Sequence, residues 1–219
     1  LSRNLRLAAI VCSVSLLGTV NVAKSAELNV RLGEDFTTLD PAFWQSGAGL
    51  TMINVLFPKL IEFKSGSDWE YELQAAESIE QVDELTIKFK LKPGLMWTGD
   101  YGEVTTEDVK YSYERYIDPE LASPIIGDWL PLKEVEIVDK YNGIIHLKEP
   151  FAPIWWSTLP YSSGAIVSKK ATEKAGGKFT TDPGATAGAY KIETWIPREK
   201  TVLVPHEGWN GPKAGFDTI

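Results

Sequence analysis

The chain has 219 residues, of which 22 are Lys or Arg and 30 are Asp or Glu, giving a formal net charge of −8. That balance repels phosphate backbones and anionic membrane surfaces, which argues against nucleic acid as a partner. A single cysteine, Cys12, leaves no disulfide framework, and with no second Cys there is no thiolate metal site.

Residues 1–25 read as a secretory signal peptide. Arg3 and Arg6 make the start basic, Leu7 to Leu17 are apolar, and Ala23-Lys24-Ser25-Ala26 is a small-residue exit. The apolar stretch is shorter than the ~20 residues a membrane-spanning helix needs. Val11 before Cys12 speaks against a lipid anchor, so the expected mature N-terminus is Ala26 and the expected location is the periplasm. Without Arg3, Arg6 and Lys24, 19 basic residues stand against 30 acidic ones, a charge of −11.

Leu28 to Leu32 alternate as an opening strand, and Gly49 to Leu60 have helical character with Met52, Leu56 and Leu60 on one face. Strand patterns follow at Leu60–Phe63, Ile79–Val82, Leu85–Leu91, Val135–Val138 and Ile144–Leu147. Between them, Pro93-Gly94 ends a strand, and Thr105 with Asp108 forms a capping box for a helix whose Val109, Tyr113 and Tyr116 share a face. Pro150 to Pro153 starts a short helix, and Ser168 to Lys174 a further one ended by Gly176-Gly177. Ala189–Thr194 and Thr201–Val204 read as a hairpin, and Phe216 to Ile219 as the opening of another strand cut short. Strands and helices do not alternate strictly, so the expected fold class is α/β of the α+β kind, with a mixed or antiparallel sheet.

Catalytic chemistry finds no good candidate. His146 and His206, the only histidines, have no His or Cys at ligand spacing, and Gly176-Gly177-Lys178 lacks a phosphate-loop frame. Glu107-Asp108 sits at a helix start and Glu134 with Glu136 on an exposed strand face; neither is a pair facing across a cleft, as glycosidase chemistry requires. Neither a cofactor nor a metal is expected. Of the eight tryptophans, Trp97, Trp155, Trp156 and Trp195 are expected in the core, whereas Trp44 lies in a Gly-containing loop, Phe43 to Gly49.

Residues 85–116, LTIKFKLKPGLMWTGDYGEVTTEDVKYSYERY, resemble a segment of the family 5 solute-binding proteins, the receptors of peptide-type ABC importers. That segment ends S-x-x-R, here Ser112 to Arg115. Thr38-Leu39-Asp40-Pro41, Leu56 to Glu62, Leu73 to Ser78, Asp118-Pro119 with Ala122-Ser123-Pro124, Gly188 to Lys191 with Trp195, and Trp209-Asn210-Gly211 are similar to other motifs of that family, in the same order. Gly99 to Gly102 in place of a shorter D-G and Thr106 in place of Ala depart from it.

The resemblance implies lobe one of a two-lobed periplasmic-binding fold with an inserted subdomain, the second lobe missing from the chain. On this reading residues 26–57 plus 170–219 form the core of lobe one and residues 58–169 the extra subdomain. It implies a receptor that closes on a peptide or other small solute and docks on the membrane permease subunits of an ABC transporter. Because the second wall of the cleft is missing, the 219-residue chain alone is expected to bind ligand poorly. The implied lobe-one contacts are Trp44, Gln45, Ser46 and Gly47, where the backbone pairs with ligand like an added strand, and Ile125, where oligopeptide receptors carry a tyrosine. The alternative from another class, suggested by the tryptophans and the acidity, is a secreted carbohydrate-active enzyme or carbohydrate-binding module.

Overall fold

A computed structural model describes residues 26–219. The signal-peptide expectation, with Cys12, lies outside the described residues. The elements are α1 (Gly47–Leu56), β1 (Ile61–Phe63), β2 (Tyr71–Leu73), β3 (Ala76–Asp83), β4 (Thr86–Leu91), α2 (Thr106–Glu114), β5 (Leu132–Ile137), β6 (Asn142–Leu147), α3 (Lys169–Lys174), β7 (Tyr190–Ile196) and β8 (Lys200–Pro205), with short 3₁₀ turns between them. Three antiparallel sheets result: β1–β2, the four-stranded β3-β4-β6-β5, and β7–β8. This is the mixed α/β class that the strand pattern predicts.

The four-stranded sheet follows from period-2 patterning. Ile87, Phe89 and Leu91 on β4 and Ile145 and Leu147 on β6 are buried, while Lys88 and Lys90 point outward. α2 packs over β5 with Val109 and Tyr113 fully buried. The expected capping box is present, the Asp108 carboxylate accepting the Thr105 N–H at 2.9 Å. The carboxylate also accepts the Lys169 N–H at 2.9 Å and the Trp97 indole N–H at 3.4 Å, so it joins three segments. Burial raises its pKa, and those donors oppose the rise.

Two expectations need correction, and one strand, β2, is not among those expected. Residues 28–32 form no strand; Glu27 alone makes a parallel bridge, to Thr218. Leu28 to Leu32 alternate in sequence, yet no long partner strand lies beside them, and alternation without a ladder leaves the backbone groups unpaired. β2 starts inside the acidic, aromatic run 68–72 and ends at Leu73, where no clean alternation announces it. Trp156 is 52% exposed, and Trp155 and Trp195 are half-buried, whereas Trp97 is buried as expected. Trp129, fully buried, stacks on Tyr113 with centroids 4.2 Å apart and on Tyr116 at 6.2 Å.

The family-like run Gly188 to Tyr190 has a steric reason. The Gly188 N–H donates to the Leu56 carbonyl at 2.8 Å at the end of α1, and a Cβ on Gly188 would collide with the Val55 carbonyl oxygen. His206 closes the same corner: its ring contacts the Gly188 carbonyl through Nδ1 at 3.2 Å and is buried. Burial pushes its pKa below the ordinary 6.5, against the pull of that carbonyl. The unfolded chain therefore takes up the proton first, so this contribution to stability is complete above about pH 6.5 and is lost as pH falls through the folded value. Urea midpoints should drop more between about pH 7.5 and about pH 5.5 in the native protein than in His206→Gln. An equal drop in both would show that His206 does not couple folding to pH.

Candidate functional site

Along α2 and into the 3₁₀ turn that continues it, Asp108, Ser112 and Arg115 recur at i, i+4 and i+7, a polar stripe that is nevertheless buried. Asp108 and Ser112 reach the 167–169 segment, and Arg115 reaches the 38–42 loop. Asp108 holds Lys169, and Ser112 Oγ accepts the Val167 N–H at 2.9 Å. Arg115 forms a two-pronged ion pair with Asp40, Nη1 to Oδ1 at 3.0 Å and Nη2 to Oδ2 at 2.8 Å, at side-chain exposures of 6% and 0%. Burial works against the guanidinium charge, but the Asp40 hydrogen bonds and charge outweigh it and raise its pKa.

The pair organises the two segments that line a cavity. Asp40 also accepts the Ala42 N–H at 3.0 Å and the Phe179 N–H at 3.3 Å, and Arg115 donates to the Gly177 carbonyl at 2.9 Å. The Leu39 N–H reaches the Thr180 carbonyl at 2.6 Å. Segments 38–42 and 177–180 are thereby fixed side by side, and between them opens a cavity of about 730 Å³. Its lining includes Thr38 with the flanking Thr37, Phe43 and Gln45 on one side and Lys178 with the following Asp182 on the other. A cavity of this size matches the several-hundred-Å³ sites that hold small molecules.

Of the five residues implied as contacts, only Gln45 lines this cavity. Ser46 is the N-cap of α1, its hydroxyl accepting the Gly49 N–H at 3.1 Å, and Gly47 is the first helical residue. Ser46 has extended backbone (φ −136°, ψ 155°), so a strand-like ligand contact can run along Gln45 and Ser46 but stops where the helix begins at Gly47. Trp44 is half-buried with its ring edge-on to Tyr161 at 6.2 Å, and its indole N–H finds no acceptor among the described residues. Ile125 is half-buried at a 3₁₀ turn. Ser123 ties that turn to the Trp44 loop, its hydroxyl donating to the Ala42 carbonyl at 2.7 Å and accepting the Ile125 N–H at 3.1 Å.

Sequence reasoning missed Arg115, Lys178 and Asp182 as parts of the site. A signal for Arg115 existed, since a charged residue sat in register with Asp108 and Ser112 on a helix that caps a core. Among the described residues no group of three or more His, Cys, Asp or Glu could hold a metal ion.

The family described as bacterial extracellular solute-binding proteins, family 5, Middle, matches residues 70–219. The chain belongs to this family. The periplasmic oligopeptide-binding protein OppA of Escherichia coli strain K12 is 28% identical over 220 residues, covering 91% of this chain and 40% of that protein. Among solved structures, the binding protein MoaA of A. tumefaciens R10 in complex with mannopinic acid is similar at a TM-score of 0.76 and 30% identity, covering 84% of this chain and 38% of that one. DppA from Helicobacter pylori in complex with the peptide STSA is similar at a TM-score of 0.74 and 26% identity, covering 85% of this chain and 40% of that one. This family 5 chain thus spans about 40% of the length of these relatives.

Proposed function

We propose that the chain supplies one wall of a periplasmic receptor that binds short peptides and delivers them to the permease subunits of an ABC importer. The observation that carries this reading is Gln45 on the wall of the cavity, at the end of a motif loop clamped by Asp40 and Arg115, in a chain of a solute-binding family. A rigid wall of this kind can offer main-chain hydrogen bonds to a ligand without reading its side chains. No bond-making chemistry is assigned, since the relatives are solute-binding proteins. The discontinuous layout, 26–57 with 170–219 around an inserted 58–169, belongs to the same reading; the Glu27–Thr218 bridge and the packing of α1 on β7 support it.

A second reading, an opine-like solute, is favoured by the 30% identity to a structure holding mannopinic acid and by Ile125, where the peptide receptors that the sequence resembles carry a tyrosine. Calorimetry on protein expressed from the complete reading frame that carries this chain separates the two. Trialanine is expected to bind, and mass spectrometry should recover it intact. Binding of mannopinic acid alone supports the second reading, and cleaved trialanine overturns the receptor reading in both forms.

A further inference from the structure

Four aromatic side chains form a continuous row on one face of the β1–β2 hairpin. Phe63 and Tyr71 are directly opposed across the two strands, so their side chains share a face. Trp69 meets the Phe63 ring edge-on with centroids 5.7 Å apart, and Trp155 stacks on the Tyr71 ring at 5.6 Å. The row is open to solvent, Trp69 being 71% and Tyr71 44% exposed. It is also held in place. The hairpin loop is closed by the Lys64 N–H on the Glu70 carbonyl at 2.8 Å, by the Ser67 hydroxyl on the Lys64 carbonyl at 2.7 Å and by a Lys64–Glu70 ion pair at 3.2 Å. That loop keeps Trp69 at φ +67°, a backbone conformation that bulky residues rarely adopt. At the other end the Trp155 indole N–H donates to Gln81 Oε1 at 2.9 Å. These residues are separate from the lining of the cavity described above.

The charge around the row is one-sided. Residues 65–87 contain seven carboxylates and no Lys, Arg or His. Among the described residues only two of the seven, Glu70 and Glu77, take part in ion pairs within 4.0 Å. Asp68 and Glu72, next in sequence to Trp69 and Tyr71, are left without a counter-charge there. We propose that this row docks a cationic segment of a partner protein, its Arg or Lys side chains lying on the exposed aromatic faces and its charge matched by the neighbouring carboxylates. Aromatic faces attract cations through their negative quadrupole, and Trp and Tyr are residues on which docking energy concentrates. The carboxylates steer a cation inward and repel an anion, which disfavours an anionic membrane surface as the occupant. A neutral glycan also stacks on aromatic faces but leaves the carboxylates unmatched. The proposal does not depend on what the cavity binds.

The test uses protein from the complete reading frame and labelled hexa-arginine blocked at both termini, read by fluorescence anisotropy, with blocked hexaglutamate and chitohexaose as comparison probes. Hexa-arginine should bind, more weakly at about 200 mM than at about 20 mM salt, and hexaglutamate should not. Trp69→Ala and Tyr71→Ala should each weaken hexa-arginine binding about two- to fivefold, the span of a cation–π contact at an exposed site. Trp69→Phe, which keeps a ring, should retain most of the affinity. Asp68→Asn combined with Glu72→Gln should weaken binding and flatten its salt dependence. Trp69 is the more exposed of the two aromatic targets, so Trp69→Ala decides the matter if Tyr71→Ala fails to fold. Affinity unchanged by the aromatic truncations would put the probe in the cavity or on general surface charge, and overturns the inference. Absence of hexa-arginine binding overturns it as well, and so does chitohexaose bound at the row in its place, which would assign the row to a glycan.

Discussion

Arg115→Met is expected to destabilise the protein by about 3–5 kcal/mol, because it leaves the Asp40 carboxylate buried without its counter-charge. One further contact goes with it, since the Gly177 carbonyl loses its Arg115 donor and the 177–180 segment loses that anchor. The double variant Asp40→Asn with Arg115→Met should recover much of the loss. It removes both charges, and the side-chain amide introduced at position 40 keeps an oxygen to accept from the Ala42 N–H, while the Phe179 N–H, which bonds the other Asp40 oxygen, loses its acceptor. Denaturant unfolding of the two single variants and the double gives the coupling directly. If Arg115→Met and the double variant are equally destabilised, the cost lies in lost packing of the long side chain and the ion pair is not what holds the wall.

Trp129→Ala should cost a similar amount, about 3–5 kcal/mol, by emptying the stack with Tyr113 and Tyr116. Its indole N–H donates to the Ser163 carbonyl at 2.8 Å, so truncation also strands a buried acceptor. In a domain of this size the loss corresponds to a fall of roughly 6–20 °C in the melting midpoint. Trp129→Phe should restore most of the packing and retain only the penalty of the unpaired carbonyl, about 1–3 kcal/mol. A midpoint for Trp129→Ala within a degree or two of the native value would show that this aromatic stack is not part of the stabilising core.

The legible parts of the fold are those where a local rule agrees with the tertiary outcome. β4 alternates because one face is buried and the other is wet, and the Thr105–Asp108 cap announces α2 because both partners lie within one turn. Residues 28–32 alternate just as well and form no strand, because pairing depends on what lies beside a segment and the segment itself does not encode that. The aromatic residues divide in the same way: Trp97 and Trp156 both stand beside regular elements, yet only the first faces the interior.

The site follows the same division. The L-D-P loop and the S-x-x-R helix end are visible as separate motifs, 75 positions apart at Asp40 and Arg115, but nothing local says that they meet in a buried ion pair. Counting along the loop points to Gln45, which lines the cavity. Gly47 instead falls into α1, because the Ser46 cap starts the helix ahead of Gly49, where the helical pattern becomes apparent. Lys178, read from sequence as part of a helix-ending Gly-Gly-Lys, joins the cavity only through the backbone contacts of its neighbours.

The central claim is that the clamped loop through Gln45 and the 178–182 segment form a ligand-binding wall. Hydrogen exchange of protein from the complete reading frame, with and without saturating trialanine, tests it most directly. The account predicts that peptide slows exchange at amides of residues 43–47 and 178–182 and leaves the β5–β6 ladder unchanged. Saturated binding with no protection in either segment, or with protection confined to the four-stranded sheet, would contradict it.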